Sequence, residues 1–110
     1  MKNQQIETEI EKLKKISRDW HRTRQDKNSA HILLRSISRF NQSFRSEFPS
    51  LCDYYVRNSP AEVYITDGIE NLEIYANSQL KRKDNDKFEK GLGDVIEGID
   101  MLILKLEEQK

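Results

Sequence analysis

Apolar residues recur at three- and four-residue intervals in four stretches of the chain, and none shows the strict alternation of a half-buried strand. The first stretch, Lys2 to Asp26, carries Ile6, Ile10, Leu13, Ile16 and Trp20. The second, Ser29 to Phe48, carries Ala30, Leu33, Leu34, Ile37, Phe40, Phe44 and Phe48. Pro49 lacks a backbone donor, so it is expected to kink or break this helix, with Leu51, Cys52, Tyr55 and Val56 adding a turn or two beyond. The third opens on Ser59-Pro60-Ala61-Glu62, which reads as an N-cap serine, proline at the first helical position and glutamate at the third. Ala61, Ile65, Ile69, Leu72 and Ala76 form its stripe. Gly68 costs a helix about 1 kcal/mol relative to alanine, which suggests a close helix crossing there. The fourth stretch, Asp86 to Glu108, carries Phe88, Leu92, Val95, Ile99, Leu102 and Leu106. Lys81–Asp86 and the segments around Asn28 and Asn58 read as exposed links.

Four helices of roughly 20 residues are each about 30 Å long, and short links favour antiparallel neighbours. The pattern therefore predicts an all-α antiparallel four-helix bundle, a single domain over residues 1–110. The alternative is an extended helical hairpin completed by a second chain. Within the 110 residues the longest apolar run is Met101–Leu104, far short of the roughly 20 residues of a membrane span. The opening MKNQQIETEIEK is too polar for the centre of a secretory signal. The single cysteine, Cys52, excludes an intrachain disulfide and a cysteine-rich zinc site, so a cytoplasmic protein is expected.

Charge changes this picture more than composition does. Lysine and arginine total 19, as do aspartate and glutamate, but they are segregated. Between Lys12 and Arg45 ten basic residues meet only Asp19 and Asp26, a net of +8, whereas residues 46–110 carry a net of −6. Such asymmetry points to a partner or to pairing between the two halves. Lys14 with Arg18, Arg18 with Arg22, and Arg35 with Arg39 are like-charge pairs at i,i+4, each unfavourable by a few tenths of a kcal/mol. Arg18 and Arg22 fall roughly opposite Leu13, and Arg35 and Arg39 roughly opposite Ile37, so adjacent first and second helices would expose one basic face. A face of this kind binds phosphate backbones without any special motif. Phe40, Phe44 and Phe48 belong to the apolar stripe and leave no aromatics for base stacking.

Candidate chemistry is sparse. Glu70-Asn-Leu-Glu73 and Glu97-Gly-Ile-Asp100, with Gly91–Leu102 between and around the second motif, resemble the all-α nucleoside triphosphate pyrophosphohydrolases of the MazG type. That resemblance implies four carboxylates from two helices holding Mg²⁺ on a triphosphate. In the register that aligns Asp94, however, Gly91 stands where the family has glutamate. Glu70 also lies roughly 160° from Leu72, and Glu97 roughly 160° from Ile99, which turns both toward solvent. His31 in Ser-Ala-His-Ile-Leu resembles a histidine phosphotransfer helix, and Arg24 with His31 resembles the Arg-x6-His spacing of HEPN-class RNases. The first lacks the following Lys-Gly-Ser run and the second straddles a loop, so surface positions for His21 and His31 are the simpler expectation. Cys52 has no histidine nearby and reads as a packing residue. Gly91, Gly93 and Gly98 read as packing glycines, not as a phosphate loop.

Val63 and Ile74 face away from the Leu72 stripe, and Met101 and Leu104 away from the Ile99 stripe. These four are the expected partner-binding residues. The leading functional expectation is a non-enzymatic protein–protein interaction module, an adaptor, inhibitor, chaperone or assembly subunit, bound to another protein or to itself. The alternative is a nucleic-acid-associated protein using Arg18, Arg22, Arg35 and Arg39. The second alternative is the Mg²⁺-dependent pyrophosphohydrolase using Glu70, Glu73, Glu97 and Asp100. No cofactor is expected outside that last case.

Overall fold

The amphipathic periods become helices. The computed structural model describes residues 2–78 and 85–110, and among these the chain is all-α, with no strand. The helices are α1 (Lys2–His21), α2 (Lys27–Glu47), α3 (Pro60–Asn77) and α4 (Asn85–Glu108), with a short 3₁₀ turn at Pro49–Leu51. None of them is long and apolar enough to cross a membrane.

Helix ends follow local chemistry. α1 stops five residues before the expected Asp26, because Asp26 caps α2 instead. Asp26 is extended, at φ −142° and ψ 160°, and its carboxylate accepts from the Ser29 N–H at 2.7 Å and the Ser29 hydroxyl at 3.0 Å. α2 breaks at Pro49 and does not bend. The proline ring disfavours the α conformation for the residue before it, and Phe48 leaves the helix at φ −131° and ψ 60°. At α3, Ser59 occupies the N-cap as expected but makes no side-chain cap bond, and its hydroxyl is buried without a partner among the described residues. Glu62 instead accepts from the Asn58 N–H at 3.0 Å, where Asn58 turns the chain with a φ of 69°. Of the link expected at Lys81–Asp86, residues 81–84 lie outside the described residues, and Asn85 and Asp86 already belong to α4.

The closest approach is between α3 and α4, and it is made of missing side chains. A methyl group on Gly68 would stand 2.5 Å from Val95 Cγ1 and 2.7 Å from the Gly91 carbonyl oxygen. One on Gly91 would stand 2.8 Å from Leu72 Cγ, and one on Gly98 would stand 2.4 Å from Ile65 Cγ1. The contacting positions rise along α3 as they fall along α4. Gly93 is the exception among the expected packing glycines, with open space beside it.

α4 also packs on α1, and α3 on α2. α1 reaches α2 through long side chains: the Trp20 indole donates to Ser36 Oγ at 3.1 Å and meets Phe40 edge-on at 5.6 Å. Phe40, Phe44, Phe48 and Tyr55 continue as a ring cluster with centroids 4.5–6.1 Å apart. The expected stripe residues fill the core, with Ile16, Leu34, Ile69 and Leu92 at its margin. The molecule measures 51 × 25 × 20 Å.

Candidate functional site

Among the described residues, no basic side chain between Lys12 and Arg45 forms an ion pair. Arg18, Arg22, Arg35 and Arg39 are all exposed, and none has a carboxylate within ion-pair distance among the described residues. The ion pairs found are Lys90–Asp94, Lys105–Glu108, Lys110–Glu107 and Lys110–Glu7. All bypass the basic stretch, so the two halves do not neutralise one another through the described residues. Arg22 and Arg24 border a groove of about 280 Å³ where α1 ends and α2 begins. Trp20 and Leu33 lie buried beneath it, and Ile32 stands on its wall with 52% of its surface exposed. Arg35 lines a different depression with His31, Leu34 and Ser38, while Arg18 and Arg39 line neither. The four arginines therefore share exposure but no single groove.

The expected partner-binding residues are dispersed. Val63, Ile74 and Leu104 are 41%, 45% and 61% exposed, and Met101 is half-buried beside Leu104 and Tyr54. Val63 and Ile74 share one line of α3, with exposed Asp67 and Glu70 between them. α3 carries four carboxylates, on Glu62, Asp67, Glu70 and Glu73, and no lysine, arginine or histidine. Tyr75 stacks against Phe88 at 5.1 Å, which sets Ile74 level with the first turns of α4. Leu104 lies sixteen residues further along, about 24 Å away at 1.5 Å per residue. The two mark opposite ends of the α3–α4 pair. Ile32 and Tyr64 are further exposed apolar groups absent from the sequence reading, and Val56, read there as part of the apolar turn after Pro49, is 47% exposed. Ile32 had a signal, since it falls roughly 140° from Ile37 on the helix wheel.

The carboxylates named for Mg²⁺ are not brought together. Glu70, Glu73, Glu97 and Asp100 are all exposed, and no three metal-ligating side chains cluster among the described residues. The glycine seam explains this: Gly68, Leu72, Val95 and Ile99 occupy the faces that α3 and α4 turn to one another, which leaves the acids outside. His21 and His31 are exposed, the latter beside an open groove between α2 and α3 that also takes in Glu73 and Asn77. Cys52 is half-buried, its thiol 3.7 Å from the Arg45 carbonyl oxygen.

Polar groups in the interior serve the fold. Glu9, fully buried on α1, accepts from the Ser50 N–H at 3.2 Å, the Ser50 hydroxyl at 2.5 Å and the Gln5 amide at 3.1 Å. Gln109 donates to the Ser50 carbonyl at 3.3 Å from the other side. Burial, and then the Glu62 carboxylate, push the Tyr55 phenol well above its ordinary range, and the phenol donates to Asn41 Oδ1 at 2.8 Å. Hydrogen bonding to Lys110 holds the Glu7 carboxyl below its usual range, as the Ser29 donors do for Asp26. No protein-family model, curated protein or solved structure matches this chain.

Proposed function

We propose that this chain is a non-enzymatic helical protein–protein interaction module, its helices arranged as an antiparallel four-helix bundle over residues 1–110. The contacts α1–α4, α4–α3 and α3–α2 are three of the four neighbour pairs of such a bundle and support it; the fourth, α1–α2, is represented by the Trp20 contacts with Ser36 and Phe40. The observation that carries the functional reading is the set of large apolar side chains left exposed on the acidic helices, Val63 and Ile74 on α3 and Leu104 on α4. Scattered exposed apolar groups are ordinary; their coincidence with carboxylates of α3 that form no ion pair among the described residues is what favours an interface. A lone cysteine fits a reducing compartment, the cytoplasm.

Cross-linking in cells that make the protein tests this reading. A discrete complex, of copies or with another protein, is expected for the wild type. Ile74→Glu with Leu104→Glu abolishes it while helical circular dichroism is retained, since both positions are exposed. A complex that survives the double substitution overturns the reading. A second reading, binding of a nucleic-acid backbone, is favoured by the unpaired exposure of Arg18, Arg22, Arg35 and Arg39. It requires binding that weakens steeply with salt and is lost on reversing those four charges.

A further inference from the structure

The groove at the α1–α2 junction and the outer face of α3 are inverse in character. The groove is lined by exposed Ile32, by Arg22 and Arg24, neither of which forms an ion pair among the described residues, and by one carboxylate, Asp19, which leaves it a net positive charge. α3 offers exposed Val63 and Ile74 with Asp67 and Glu70 between them, on a helix that has no cation of its own. α3 packs on α2 and α4 through its opposite side, so it cannot present this outer face to the groove of its own chain. A second molecule can. Apolar contact would supply the stabilisation, and the opposed charges around it would set orientation and speed of encounter.

We propose that the groove of one copy receives the Val63–Ile74 face of α3 from a second copy, a helix-in-groove contact. This rests on the interaction-module reading and names its partner as the chain itself. Because the two surfaces differ, the contact is head-to-tail. Each bound pair keeps one free groove and one free α3 face, and assembly continues unless it closes into a ring.

Light scattering on the purified full chain tests this at about 50 mM and about 500 mM salt, where screening lengths differ severalfold. The wild type is expected to gain mass with concentration at low salt, and to gain less at high salt, where the opposed charges are screened. Arg22→Glu with Arg24→Glu spoils the groove, and Val63→Asp with Ile74→Asp spoils the α3 face. Each variant alone is monomeric. Their equimolar mixture gives twice the monomer mass and nothing larger, because one sound groove then meets one sound face and the other pair is acidic on both sides. A wild type that is monomeric at both salts overturns the proposal, as does a mixture that stays monomeric. The salt dependence of the wild type reads the contact without any substitution. A monomeric wild type whose cellular complex still depends on Ile74 and Leu104 overturns the second-copy assignment alone; loss of that dependence overturns the interaction-module reading as well.

Discussion

Glu9 stands on the apolar side of α1, between Ile6 and Ile10, and is as buried as either. Its use follows from the break after Phe48. Leaving the helix frees the Ser50 N–H from a helical acceptor, and the Glu9 carboxylate takes that donor together with the Ser50 hydroxyl. Glu9→Ala is expected to cost about 1–3 kcal/mol in urea unfolding, because a buried donor is left unsatisfied. Glu9→Gln should cost less, since its amide oxygen still accepts from Ser50. The wheel held a signal for this residue, as Glu9 lies only roughly 40° from Leu13. Asp26 is a simpler case with a pH consequence. Its carboxyl sits below the ordinary 3.8 because the Ser29 N–H, and next the Ser29 hydroxyl, bind the ionised form. A depressed folded value means that its contribution is complete above the unfolded value and is lost as pH falls through the folded one. Asp26→Asn keeps an N-cap but not this charge, so the stability gap between wild type and variant should close as pH is lowered from about 6 to about 2. Ser59 shows the limit of motif reading: its position at the N-cap was legible, but its hydroxyl makes no cap bond and finds no partner among the described residues.

At the scale of elements, the two kinds of glycine on the acidic helices separate packing from propensity. Gly68 has backbone and Val95 within 3 Å of where a methyl would stand, and Gly93 has nothing within 4 Å. Gly68→Ala is therefore expected to destabilise by about 1–3 kcal/mol despite the better helix former, as overpacked cores do. Gly93→Ala should stabilise by about 0.5–1 kcal/mol, from propensity alone. Thermal unfolding of both reads the opposite signs. The helices themselves were legible because four amphipathic periods are long and uninterrupted, and Ala30, Ile37, Ile65, Leu72, Val95 and Leu102 are buried as their spacing requires. Their ends were less so. The run from Trp20 to Asp26 is polar enough to continue a helix or to leave one, and only the Asp26–Ser29 bond decides it. Gly91 and Gly93 were read alike as packing glycines, although the wheel separates them: Gly91 lies roughly 20° from Leu102 and Gly93 roughly 180° from it.

Across the whole molecule, charge segregation was plain in the sequence, whereas its fate was not. Pairing between the basic and acidic halves was a fair expectation, and the ion pairs of the described residues fall elsewhere. The exposure of Val63, Ile74 and Leu104 could be read from a helical wheel, yet a wheel carries no level along the axis. It could not place Ile74 and Leu104 at opposite ends, although it did turn Glu70 and Glu97 toward solvent, where both are found. That placement comes from how α3 is set against α4, and that setting has its own logic. Ala61 and Gly68 are seven residues apart on α3, Gly91 and Gly98 seven apart on α4, and each small residue of one helix meets one of the other. The pair works like two pins in two holes. Sliding one helix by a heptad, about 10 Å, would keep one pin seated and lose the other, and any smaller slip would drive a full side chain against a backbone with no room for it. The hairpin therefore has a single permitted alignment, and every outward residue on it inherits a fixed address.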